Sequence, residues 1–180
     1  MLRKIVAGID LTNEYIGRAM GWVMFGLVLL VTGDVISRYL FNTGAVVIQE
    51  LEWWLYSIVF LMAAGYTFLH DDHVRVDLIY SLLPKRWKNI IDLFGAFIFL
   101  FPMCVLVILT SRSFIVRSWG FREGSPDPGG MQAYYLLKAV IPLGFFFLAL
   151  QGVAEVYKIV QRLREPDGDP KPPAKAGEDA

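Results

Sequence analysis

Four ionisable residues stand where an apolar chain rarely carries them. Asp34 and Arg38 lie four apart in GDVISRYLFN, a spacing that puts both on one helix face. Glu50 and Glu52 open the apolar stretch that follows Asn42-Thr43-Gly44, a turn short enough to make a hairpin of two antiparallel helices. Such a hairpin brings Arg38 to the depth of Glu50 and Glu52. Charges in apolar surroundings are costly unless paired, so each is a functional hypothesis with a partner to be named. Two chemistries fit. One is a proton or ion relay through Asp34 and Glu50 or Glu52. The other is a clamp in which Arg38 neutralises the carboxylates and holds the first two helices together. The presence of both signs favours the clamp. Glu50 and Glu52 are two apart and face nearly opposite sides, so one is expected to pair with Arg38 and the other to face a partner protein.

A second polar cluster, His70, Asp71, Asp72, His73, Arg75 and Asp77, follows the second apolar stretch. Histidines three apart can bind zinc with a carboxylate, and the same groups can carry protons. The spacing is unspecific, and the plainer reading is a solvated cap at a helix end, so neither a metal nor a haem is expected. Cys104 is the single cysteine and sits inside an apolar run, which argues for a buried, inert thiol and against disulfides or thiolate zinc. Lys138 and Glu155 read as snorkelling side chains, and Pro102 and Pro142 as helix kinks. No phosphate-binding glycine loop, nucleophile elbow or catalytic triad pattern occurs, so no enzyme and no cofactor is expected.

The elements that must position these residues are membrane helices. Of 180 residues 56% are hydrophobic and 19% charged, against roughly 25% charged in a soluble domain. Windows of 15, 17, 19 and 16 residues, starting at Ala19, Trp53, Leu93 and Ala139, carry no charge. With its flanks each window reaches the roughly 20 residues that cross a bilayer core. The chain is therefore read as an all-α integral membrane protein with four transmembrane helices, at about 16–40, 46–69, 90–112 and 134–157. Residues 1–15 read as a short amphipathic lead at the membrane surface, and residues 158–180 as a disordered tail with Pro166, Pro170, Pro172 and Pro173 among charges. Arg3 and Lys4 before an apolar run resemble a signal peptide, but no small-residue cleavage site follows, so a retained signal anchor is expected.

Basic residues set the orientation. Arg3, Lys4, Arg18, Arg75, Lys85, Arg86, Lys88, Lys158, Arg162, Arg164, Lys171 and Lys175 fall on one face, whereas Arg112, Arg117 and Arg122 fall on the other. By the positive-inside rule both termini are cytoplasmic. With 17 basic and 17 acidic residues there is no basic excess for nucleic acid, and membrane lipid is the expected surrounding. No internal repeat of the kind that builds many transporters is visible.

Four stretches, in this order and spacing, bear a resemblance: GDVISRYLFN, QELEWWLYSIVFLMAAGYTF, HDDHVRVDLIYSLLP and EGSPDPGGMQAYYLLKAVIPLGFFFLALQG. Together the chain resembles the small, DctQ-like membrane subunit of tripartite ATP-independent periplasmic (TRAP) transporters. The resemblance implies a bacterial inner-membrane scaffold subunit that works with a large multispanning permease subunit and a periplasmic substrate-binding protein. It further implies sodium-coupled uptake of small organic acids such as C4-dicarboxylates, keto acids or sugar acids, with substrate held by the large subunit. Asp34, Arg38, Glu50 and Glu52 would then stabilise the scaffold, His70, Asp72, His73, Arg75 and Asp77 would cap its cytoplasmic end, and the outer loop with Arg117, Arg122, Glu123 and Ser125 would lie where the binding protein docks. The rival readings are a self-sufficient four-helix transporter using Asp34 and Glu50 or Glu52, and a membrane redox or metal protein using His70 and His73.

Overall fold

A computed structural model describes residues 2–70 and 84–164, and all regular structure among them is helical. Helix α1 runs from Leu2–Phe41 without a break, so the lead at residues 2–15 continues the axis of the first span. No proline interrupts it, and at 1.5 Å per residue its 40 residues extend about 60 Å, well beyond a bilayer core of roughly 30 Å. Asn42, at φ 52°, ends the helix in the left-handed conformation that asparagine tolerates, and α2 (Val46–Leu69) starts four residues later.

The third span is built from α3 (Lys85–Gly95), a π-helical turn (Ala96–Leu100) and α4 (Phe101–Gly120). The wide turn has a local cause. Pro102 has no N–H and its ring crowds the carbonyl four residues earlier, and the turn relieves this with a bond from Phe101 N–H back to Ala96 O. The last span is α5 (Tyr134–Arg164), with Pro142 inside it. All four spans are long and apolar enough to cross a membrane.

The helices form an open row. α1 packs on α2, α2 on α5 and α5 on α4, with a lighter contact between α1 and α5. Glycines let the backbones approach, as small residues do where lipid removes the hydrophobic drive between helices. A Cβ on Gly144 would lie 2.6 Å from Leu61 O, at the α2–α5 crossing. One on Gly17 would meet the Tyr66 ring, and one on Gly65 would meet Asn13 Oδ1. Cys104 is buried between α4 and its neighbours at 1% exposure, whereas the outer faces carry exposed Phe94, Phe97, Phe99, Leu106 and Leu109. A row exposes apolar surface on both sides, which suits a lipid or protein solvent and not water.

Candidate functional site

The polar groups gather at the two ends of the row. At the hairpin end, α1 closes with Asp34, which is buried, and Arg38 one turn on. Arg38 Nη2 donates to Asp34 Oδ2. With the Gln49 amide turned so that its oxygen faces the guanidinium, that oxygen accepts from Arg38 Nη1 at 2.9 Å and Nη2 at 2.5 Å. Arg38 thus ties α1 to the first turn of α2. The glutamate expected to share it is engaged elsewhere.

Glu50 is 4% exposed, and both its oxygens are occupied by the loop before α5. Ser125 Oγ donates to Oε1, Met131 N–H to Oε2, and the Tyr134 hydroxyl reaches Oε1 at 3.1 Å. The expected Arg38–glutamate pair is therefore replaced by two separate ties, because the loop and the first residue of α5 supply a backbone N–H and two hydroxyls at the depth of Glu50. Glu52 faces away, and its Oε1 is buried without a hydrogen-bond partner. Trp54 and Trp53 stack edge-on with the Tyr134 ring at 5.5 and 5.8 Å.

The loop itself is ordered by its own backbone. Gly130 N–H bonds to Asp127 O at 3.0 Å across Pro128-Gly129, and Gly129 has the positive φ of 82° that the third residue of a type II turn requires. Ser125 N–H bonds to Met131 O at 2.9 Å, and Tyr134 N–H to Glu123 O at 3.0 Å. Of the loop residues singled out from sequence, Ser125 points inward to Glu50 and Glu123 pairs with Lys138 of α5. Arg117 turns back on Ser113 O at 3.3 Å, and Arg122 is exposed at a positive φ of 45°. Lys138 does not snorkel freely. Its ammonium pairs with Glu123 and sits 4.0 Å from the centre of the Phe114 ring.

The opposite end joins α1, α2 and α5. Asn13 and Gln151 are 1% and 0% exposed, and Asn13 Nδ2 donates to Gln151 Oε1 at 2.8 Å. Gln151 Nε2 donates to Asp10 Oδ1 at 2.8 Å, and Lys158 Nζ to the same oxygen at 2.9 Å. Glu155 lies 3.4 Å from both Lys158 and Arg162. Beside it, His70 Nε2 meets Glu14 Oε2 at 2.7 Å while Arg18 holds Glu14 Oε1 at 2.9 Å, tying α2 to α1. Of the polar cap residues, Asp72, His73, Arg75 and Asp77 lie outside the described residues. Among the described residues no group of three or more His, Cys, Asp or Glu is placed to hold a metal.

The Asp10–Asn13–Gln151–Lys158 chain escaped the reading of the sequence. A count of charges treats Asn and Gln as neutral, yet Gln151 is the one amide in the charge-free window from Ala139 to Ala154. Inside a membrane a side-chain amide also seeks a partner, commonly on a neighbouring helix.

These ties define a multi-pass helical membrane protein in which buried Asn13, Glu50 and Gln151 link separate helices or a helix and a loop. Residues 27–162 match the family of tripartite ATP-independent periplasmic transporters, DctQ component, and the chain belongs to it. A protein of Haemophilus influenzae described as a TRAP transporter small permease protein is 23% identical over 161 residues, which cover 86% of this chain and 91% of that protein. The family is one of transporter subunits, not of enzymes.

Proposed function

We propose that this protein is the scaffold subunit of a TRAP-type secondary transporter in the bacterial inner membrane. It works with a large permease subunit and a periplasmic substrate-binding protein to import small organic acids, with sodium as the coupling ion. Both termini lie in the cytoplasm, in keeping with the basic residues of α1, α3 and α5 at the terminal end. The hairpin end and the loop before α5 then face the periplasm, with exposed Arg122 and Asp127 offered to the binding protein.

The observation that carries this reading is Glu50. A buried carboxylate with both oxygens occupied by the loop fits a structural tie better than a relay, which needs a group that exchanges partners. The test is a mild-detergent pull-down of the tagged protein from native membranes with identification of what co-purifies. A stoichiometric large hydrophobic subunit is expected. A clean homo-oligomer that transports by itself would reinstate the self-sufficient transporter with Asp34 and Glu50 or Glu52 as its carboxylates.

A further inference from the structure

α2 is packed between α1 and α5, and one of its faces stays open. Exposed Trp53, Tyr56 and Phe60 follow one another on that face at helical spacing and form an aromatic ridge about two turns long. Glu52 lies beside the ridge, one turn before Tyr56. It also stands about five full turns before His70, which pairs with Glu14 of α1, so both residues point to the same side of α2. Gln49, one turn earlier, meets Arg38 of α1. Glu52 is thereby placed at the edge where α1 borders the open face.

The three carboxylates of α1 and α2 at the hairpin end are served unequally. Arg38 donates to Asp34, and two hydroxyls and a backbone N–H donate to Glu50. No donor or cation among the described residues meets Glu52, whose Oε1 is buried without a partner. Lys138 is held by Glu123. The residue as a whole is only half-buried, so its carboxylate is reached from the open face. An unpaired carboxylate in apolar surroundings is costly, and a basic side chain is the group that relieves it.

We infer, resting on the scaffold role proposed above, that the open face of α2 receives a membrane helix of the large permease subunit, with a lysine or arginine of that helix paired to Glu52. The ridge runs along the span from Trp53 to Phe60, so its occupant lies along α2 and carries its positive group toward the hairpin end. Tryptophan and tyrosine are the side chains that most often anchor a protein interface. A zwitterionic lipid would bring a phosphate beside Glu52 together with its ammonium, whereas a helix brings the cation alone.

A benzophenone side chain in place of Tyr56 in the tagged full-length protein, irradiated in native membranes, should crosslink to a transmembrane segment of the large subunit that carries Lys or Arg. Glu52→Gln keeps the shape of the group and removes its charge. The large subunit that co-purifies should then fall at least about tenfold. The isolated variant, relieved of an unpaired charge, should unfold in detergent at the parent's temperature or higher, whereas loss of a tie internal to this chain would lower it. Glu52→Arg should abolish assembly, and an acidic residue in place of the crosslinked segment's basic one should restore it. Full co-purification in E52Q, a lowered unfolding temperature in E52Q, or crosslinks from position 56 only to lipid or to a second copy of this chain would overturn the inference while leaving the scaffold role standing. A parent protein that retains no large subunit would overturn the scaffold role, and the pairing with it.

Discussion

Asn13 Nδ2 lies 2.8 Å from Gln151 Oε1, joining two residues 138 apart in the chain inside a contact from which water is excluded. The bond holds the long N-terminal half of α1 against α5 and, through the close approach of Asn13 to Gly65, against α2. Replacing Gln151 by Leu leaves Asn13 Nδ2 and Asp10 short of a partner. A loss of about 1–2 kcal/mol is expected, between the mean of interhelical bonds in membranes and the full cost of an unpaired buried donor. A double-mutant cycle with Asn13→Leu, read by unfolding in detergent, should recover part of that loss. Additive losses would show that the two amides do not act together.

Glu50 organises the loop before α5, so its variants should be read in the loop. Glu50→Gln keeps the shape but leaves one acceptor oxygen where two are used, and its amide nitrogen faces a donor. Hydrogen exchange of the Met131 amide is expected to rise by an order of magnitude or more, corresponding to a loss of roughly 1–3 kcal/mol of local stability. Ser125→Ala should give a smaller rise. Unchanged exchange in E50Q would remove the tie on which the scaffold reading rests.

Arg38→Ala removes the link from Asp34 to Gln49 and leaves the buried Asp34 carboxylate unpaired. We expect a lower steady-state level and less of the co-purifying large subunit. Asp34→Asn keeps a polar partner and should leave the transporter's substrate affinity unchanged. A shift in affinity with normal assembly would place Asp34 in the transport chemistry instead.

Gly144 allows α2 and α5 to cross. Gly144→Val puts a branched side chain where even a Cβ would stand 2.6 Å from a backbone carbonyl, so a loss of about 1–3 kcal/mol or failure to assemble is expected. Gly33→Ala is the control. No atom lies within 4 Å of its new Cβ, and the helix should gain up to about 1 kcal/mol.

The hydrogen bond from Lys138 holds the Glu123 carboxyl below its usual range. A carboxyl lowered in the folded state contributes its stability fully above the unfolded value of 4.5 and loses it as pH falls through the folded value. Loop stability, followed by proteolysis, should therefore decline on acidification below that range in the parent protein. In Glu123→Gln that component should vanish. Lys138 sits over Phe114, so the same acidification should also loosen the contact between the N-terminus of α5 and α4.

The four spans, the tight hairpin after Phe41 and the family were legible from residue order alone, because the transfer of an apolar segment into lipid is a local property of contiguous residues. It also located the charges at the hairpin end. Their partners depend on how the folded chain brings distant segments together. Arg38 and Glu50 carry opposite charge and similar depth, so attraction alone would pair them. The loop before α5, 75 residues further on, brings Ser125 to Glu50, and Gln49 faces Arg38. The order of the row was equally hidden, since helices in lipid gain nothing from apolar contact as such. Glycines and amides that meet across the crossings set that order, and neither type stands out in a chain read one residue at a time.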